Sequence, residues 1–83
     1  MFSKSELNKL RWRSRRGMLE LDLLLVPFFD AEFSSLPERL KLTFVMLLEQ
    51  DDPDLLMWFS HKGEPEDAAL AELIRLILDR VQP

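Results

Sequence analysis

The chain has 83 residues, 47% hydrophobic and 31% charged, which allows one globular domain with a small core. It contains no cysteine, which excludes disulfides, thiolate metal sites and cysteine nucleophiles. Residues 1–16 hold six basic residues and one acidic residue, whereas the remainder holds five basic and fourteen acidic residues. Such an acidic chain with a basic end suits steering toward a charged protein partner, and it is unlike a general nucleic-acid binder, whose positive charge dominates the domain.

The N-terminal residues lack the apolar stretch of a secretory signal. The longest apolar run, 23–29, is far shorter than the roughly 20 residues that span a bilayer. We therefore expect a cytoplasmic protein that does not insert into membranes.

The first predicted helix carries most of the basic residues of this N-terminal part. Ser3 and Glu6 stand at the spacing of a capping box, which predicts a helix from Ser3 to about Ser14. Because its apolar residues are few, this helix is expected to dock weakly. Gly17 marks the stop or bend that follows.

The second predicted helix begins near Gly17 or Met18 and is the most apolar segment of the chain. So many apolar positions predict contacts on more than one side, as in the central helix of a small bundle. Pro27 has no N–H to donate to the carbonyl of Leu23, so we expect a kink or break there. A buried strand over 21–26 is a competing interpretation, which the helical neighbours disfavour.

Proline and acidic residues mark the starts of the later helices. Pro37 suits the first position of the third helix, and Asp52 followed by Pro53 provides the expected cap and first position of the fourth. Gly63 is the predicted stop of this short fourth helix. The fifth helix carries an apolar stripe at steps of three and four. The chain is therefore predicted to be all-α, a single small five-helix bundle over residues 1–83.

Few residues of this chain could act in catalysis or bind a metal ion. His61 is the only histidine and lacks the spacing of a zinc site, so a surface or helix-cap role is expected. Asp51, Asp52 and Asp54 lack the spacing of a calcium-binding loop and are attributed to helix capping, with an acidic partner contact as the alternative. Trp58 is expected in the core. We predict neither a metal site nor catalysis by this chain alone.

One short segment has the composition of a protein-binding site. Charges of both signs surround a glycine beside an exposed-looking tryptophan, and the candidate partner-binding residues are Trp12, Arg15, Arg16, Gly17, Glu20 and Asp22. Trp and Arg are enriched at interface hot spots, and glycine permits a turn or a close approach. Ion pairing within the chain is the alternative. Exposed pairs contribute only about 0–1 kcal/mol, however, whereas removing one partner of a desolvated interface pair can cost about 2–5 kcal/mol. We therefore favour a docking site.

Segment 12–22 resembles the signature of the succinate dehydrogenase flavinylation factors, called SdhE or YgfY in bacteria and assembly factor 2 in mitochondria. The RGxxE motif of that family falls on Arg16, Gly17 and Glu20. RGxxE is a weak pattern by itself, but its combination with Pro27-Phe28-Phe29 and the segment 47–55 is specific to the family. The resemblance continues in order along the chain, through Pro27-Phe28-Phe29, the segment 47–55 and Trp58.

The resemblance implies a five-helix fold and a non-enzymatic assembly factor. Its implied role is to promote covalent attachment of FAD to the flavoprotein subunit of succinate dehydrogenase, and often of fumarate reductase. The partner-binding surface would lie on the motif and its flanking residues. The flavoprotein would supply the flavin site and the reacting histidine, so no cofactor is expected to bind this chain stably. The lack of a GxGxxG loop after a strand agrees with this expectation.

Two other functions remain open from the sequence. The family has also been described as the antitoxin half of a toxin–antitoxin pair, which predicts a regulatory interaction with a different partner. A basic-helix nucleic-acid binder is the third interpretation. It is disfavoured because the aromatic residues among the arginines are limited to Trp12, and no nucleic-acid-binding signature is present.

Overall fold

Five α-helices account for most of the chain in the computed structural model, which describes residues 2–81. A 3₁₀ turn at Phe33–Ser35 follows the second helix, and no strand occurs within the described residues. The helices are α1 (Lys4–Arg13), α2 (Leu19–Glu32), α3 (Glu38–Leu48), α4 (Asp52–Phe59) and α5 (Ala68–Val81). The prediction of an all-α five-helix bundle is confirmed.

An aromatic cluster forms the centre of the core. The ring of Phe44 on α3 lies 6.1 Å from that of Phe28, 5.8 Å from that of Phe29 and 5.5 Å from that of Phe33, centroid to centroid. The cluster therefore joins α2, the 3₁₀ turn and α3. The predicted stripe of α5 packs into the same core, and its buried members are Leu70, Leu73, Ile74, Ile77 and Leu78.

The second helix has the central position that its composition predicted, because α2 contacts α1, α4 and α5. It runs unbroken through Pro27, so the expected break does not occur, and the alternative strand is not formed. Pro27 and Leu23 are both exposed, so water can reach the carbonyl that lacks its regular helical donor. Within residues 2–81, no helix combines the length and the apolarity needed to cross a bilayer.

The first helix begins with the predicted capping box. Oγ of Ser3 accepts a hydrogen bond from the Glu6 amide at 3.1 Å, and Oε1 of Glu6 accepts one from the Ser3 amide at 2.8 Å. Leu10 is the buried hydrophobic residue of this helix, so its contact with the core is small, as expected. An ion pair between Arg11 and Asp30, 2.7 Å long and exposed to solvent, also joins α1 to α2.

Two helix starts differ from the prediction. Pro37 is the N-cap of α3 rather than its first residue, and its extended backbone leads into the helix at Glu38. Asp51 rather than Asp52 is the N-cap of α4, so Pro53 occupies the second helical position. The shift by one residue leaves the Asp52 carboxylate available for a different interaction.

The end of α4 depends on His61 instead of the predicted Gly63. His61 has φ +62°, and its amide donates to the Trp58 carbonyl at 3.3 Å. The next amide, that of Lys62, donates to the Met57 carbonyl at 3.0 Å. This pair of bonds is a left-handed helix end that glycine usually provides. The exposed histidine therefore ends the helix through its backbone conformation.

Candidate partner-binding site

The α1–α2 loop, residues 14–18, carries the centre of the predicted motif. Ser14 is fully buried, and its Oγ donates to the Leu10 carbonyl at 2.8 Å, which closes the end of α1. Gly17 has φ +81°, a backbone conformation in which other residues are strained. No heavy atom lies within 4 Å of the position that a Cβ of Gly17 would occupy. The turn therefore requires glycine for its conformation, and the space beside it is open.

The side chain of Arg16 binds the junction between α3 and α4. Its Nε donates to Oδ1 of Asp52 at 2.8 Å, its Nη1 to the Leu48 carbonyl at 2.7 Å and its Nη2 to the Gln50 carbonyl at 2.7 Å. Only 16% of the side chain is exposed. These four residues, Arg16, Leu48, Gln50 and Asp52, are called the Arg16 cluster below.

The Arg16 cluster explains why a charged side chain is stable in this half-buried position. Leu48 ends α3, and the carbonyls at a helix end lack donors from their own helix. The guanidinium supplies a donor and places a positive charge at the negative end of the helix dipole. Asp52 was attributed to helix capping, and this assignment is wrong, because its carboxylate pairs with Arg16 and caps no amide.

Asp22 holds the backbone of the same loop. Its Oδ1 accepts a hydrogen bond from the amide of Arg16 at 2.6 Å. Arg16 is thus bound through its main chain to α2 and through its side chain to the α3–α4 junction. These two attachments fix the conformation of the residue immediately before Gly17.

The other four predicted residues face solvent. Trp12 is 74% exposed, and Arg15, Gly17 and Glu20 are also exposed. Glu20 lies in the first turn of α2, where a carboxylate is favoured by the helix dipole. Among the ion pairs and side-chain hydrogen bonds of residues 2–81, none includes Glu20, so it does not hold an arginine of its own chain.

Two exposed leucines beside Glu20 were missed by sequence reasoning. Leu19 is 70% exposed and Leu23 is 60% exposed, although they belong to the most apolar segment of the chain. Their spacing of four residues was visible in the sequence. The apolar residues between them, however, suggested burial on all sides. Asp52 was also missed as part of the site, because it lies 36 residues from Arg16 in the chain.

A separate cleft of about 570 Å³ lies between α5 and the connection that precedes it. Its lining includes Trp58, His61, Lys62 and Arg75 and none of the predicted partner-binding residues. Trp58 is half-buried at the wall of this cleft, and it packs against the edge of the core rather than inside it. The predicted site is therefore a surface of the protein and not this cleft.

Together these features define a small all-α protein with an exposed, mixed-charge loop that is held from within by the Arg16 cluster. The chain belongs to the family described as flavinator of succinate dehydrogenase (Sdh5), which it matches over residues 8–81. The resemblance inferred from the sequence is confirmed at the level of this family.

The chain is also similar over its full length to curated relatives. It is 52% identical over 83 residues to the FAD assembly factor SdhE of Pseudomonas aeruginosa, covering 100% of this chain and 99% of the relative. Its identity to the FAD assembly factor SdhE of Pseudomonas putida is 49%, with the same coverage. With the protein of that name from Yersinia pseudotuberculosis it shares 46% over 72 residues, which are 87% of this chain and 82% of the relative.

Proposed function

We propose that this protein is a non-catalytic assembly factor that binds the flavoprotein subunit of succinate dehydrogenase and promotes covalent attachment of FAD to it. The family match and the similarity to FAD assembly factors over the whole chain support this role. The proposed binding mode rests on one observation. Gly17 of the α1–α2 loop and Glu20 of α2 face solvent, while the side chain of Arg16 is mostly buried and bound within the protein.

The exposed residues of the motif make the contacts in this proposal. Glu20 offers a carboxylate with no ion-pair partner among residues 2–81, which suits a charge-assisted hydrogen bond to a basic side chain of the flavoprotein. Gly17 allows the two backbones to approach closely, because the space beside its Cα is open. Trp12 and Arg15 contribute at the rim of the interface.

Arg16 and Asp22 act indirectly in this proposal. Their polar groups already bind within the chain, so they hold the loop in place instead of contacting the partner. We thus assign the arginine of the RGxxE motif to the folding of the site and the glutamate to recognition.

The contribution of the factor to the reaction is positional. The flavoprotein supplies both FAD and the group to which FAD becomes attached, and no FAD is held stably by this chain. By docking, the factor fixes parts of the flavoprotein in a reactive arrangement, and such positioning can lower a barrier by about 7–11 kcal/mol in favourable cases. The flavoprotein subunit of fumarate reductase is a second proposed partner, and the proposed site of action is the cytoplasm.

Substitutions at Gly17 and Glu20 test the proposed interface. We expect Glu20→Ala and Gly17→Arg to keep the helical bundle, although the arginine also strains the turn at φ +81°. Both variants are expected to bind the purified flavoprotein subunit at least about tenfold more weakly and to leave it with less covalent FAD. Gly17→Asn separates the two roles of the glycine, because Asn tolerates a positive φ but still adds a side chain. Binding is measured by calorimetry and covalent FAD by in-gel flavin fluorescence.

Glu38→Ala is the matched control, since Glu38 is also an exposed glutamate in the first turn of a helix and forms no ion pair within the described residues. It is expected to bind and to support flavinylation normally. Wild-type affinity and flavin fluorescence with both Glu20→Ala and Gly17→Arg would reject the proposed site.

A further inference from the structure

An apolar strip runs along the exposed side of α2. Leu19, Leu23 and Pro27 are all exposed and follow one another at intervals of four residues, which places them along one side of the helix. We call these three residues the α2 strip. Leu21 and Leu25 of the same helix are fully buried, so the core does not require the strip.

The position of the strip relative to Glu20 indicates what it does. Glu20 follows Leu19 directly and precedes Leu23 by three residues, so the exposed leucines lie near a carboxylate that has no ion-pair partner among the described residues. Residues three apart are neighbours on a helix surface. A docked protein that covers the two leucines would therefore also shield an ion pair at Glu20 from water. Interface hot spots commonly have this arrangement.

A second polar group lies on the same surface. Pro27 has no N–H, so the carbonyl of Leu23 lacks its regular helical donor on the exposed side of α2. In the free protein, water can satisfy this carbonyl. In a complex, a donor from the partner can take the place of that water. The exposed side of α2 thus carries the Glu20 carboxylate near apolar side chains, together with a carbonyl that lacks its regular helical donor.

We propose that the α2 strip forms part of the docking surface for the flavoprotein subunit, and that it receives a basic side chain set in an apolar patch of that subunit. The inference rests on the proposed function and extends its interface from the RGxxE loop along α2. The basic side chain binds Glu20, and the surrounding apolar patch covers Leu19 and Leu23. Charge complementarity and continuity with the loop both favour this occupant over a second copy of the chain, whose corresponding surface carries the same acidic Glu20.

Leucine-to-serine substitutions test the strip. We expect Leu19→Ser and Leu23→Ser each to weaken binding to the purified flavoprotein subunit about tenfold or more, because each removes a leucine that becomes buried in the complex. Leu42→Ser is the matched control: Leu42 is a 58% exposed leucine on α3, and its substitution carries the same change in helix propensity. Thermal unfolding of all three variants checks that they remain folded.

The outcome separates this inference from the proposed function. If both strip variants bind within twofold of the wild type while Glu20→Ala binds weakly, the strip is not part of the interface and the proposed loop site stands. If Glu20→Ala and Gly17→Arg also bind normally, both the proposed loop site and the strip are rejected.

Salt provides an independent test of the enclosed ion pair. The ratio of the Kd of Glu20→Gln to that of the wild type is expected to stay constant between about 0.05 M and about 0.5 M salt, because a pair shielded from water is screened little. A ratio that falls toward one at high salt would show an exposed ion pair and would overturn the inference that leucines enclose it.

Discussion

At the scale of single residues, Arg16 connects the α1–α2 loop to the α3–α4 junction, which is distant in the sequence. Its guanidinium uses a carboxylate and two main-chain carbonyls as acceptors, and these contacts are half-buried. Hydrogen bonds that involve a charged group contribute about 1.5–3 kcal/mol each, more than neutral ones. One arginine can therefore determine the conformation of the whole α1–α2 loop.

The ion pair with Asp52 can be tested directly. We expect Asp52→Ala to lower the free energy of unfolding by about 1–3 kcal/mol, because it leaves a half-buried donor of Arg16 without its acceptor. The variant is also expected to bind the flavoprotein subunit more weakly, since the loop before Gly17 loses one of its attachments. Urea unfolding measures the first effect and calorimetry the second.

Asp54→Ala is the control for this substitution. Asp54 stands in the same first helical turn of α4, so its removal costs the same favourable interaction with the helix dipole but leaves Arg16 unchanged. Equal loss of stability in the two variants would contradict the role assigned to the Arg16–Asp52 pair.

At the scale of secondary-structure elements, exposed ion pairs join the helices at three places. Ion pairs this exposed contribute little to stability, so they adjust how the helices meet but do not drive their association. The pairs are Arg11–Asp30 between α1 and α2, Arg39–Glu72 between α3 and α5, and Arg80–Glu32 between α5 and α2.

These pairs make stability depend on pH. Hydrogen bonds from Arg11 and Arg39 lower the pKa of Asp30 and the pKa of Glu72 below their ordinary values of 3.8 and 4.5. The ordinary values apply to the unfolded chain, so the pairs stabilise the fold above them and lose their effect as the pH falls through the lower pKa values of the folded state. We expect the free energy of unfolding to decline below about pH 4, as measured by urea unfolding at about pH 6 and about pH 3.

The double variant Asp30→Asn, Glu72→Gln identifies the source of this decline. Its stability is expected to fall less between the two pH values than that of the wild type. A residual fall is expected from Glu6, because hydrogen bonds from the backbone and side chain of Ser3 also lower the pKa of its carboxylate. An equally steep decline in the double variant would exclude the two ion pairs as its cause.

Sequence patterns within one or two helical turns predicted the positions of the helices well. They could not predict contacts between segments that are distant in the sequence. The capping box at Ser3 and the stripe of α5 depend on residues within one or two helical turns, so spacing alone revealed them. The end of α4 at His61 was missed because a histidine gives little sign that it will take a positive φ. The partner of Arg16 was missed because its acceptors are more than 30 residues away, and only the packed bundle brings them together.

At the scale of the whole molecule, stability depends on a small core. A domain of this length has a free energy of unfolding of about 4–12 kcal/mol, at about 0.05–0.15 kcal/mol per residue. The Phe44 ring, fully buried among three other aromatic rings, is therefore a large part of what holds the bundle together.

We expect Phe44→Ala to lower the free energy of unfolding by about 3–5 kcal/mol, because it removes buried area and leaves a cavity. Thermal unfolding followed by circular dichroism measures the effect. Phe2→Ala is the comparison. Phe2 is only half-buried and meets a single aromatic ring, that of Phe33, at 5.5 Å, so its loss should cost clearly less. Similar losses in the two variants would show that the aromatic cluster is not the centre of stability.

The attachment of Arg16 to the α3–α4 junction makes the loop depend on a distant part of the chain. The acceptors for its guanidinium lie within residues 48–52, so the loop conformation requires this junction to be packed against it. A substitution that disturbs this junction is therefore expected to alter the loop as well. Under the proposed function, it would weaken binding to the flavoprotein subunit without changing any residue of the interface.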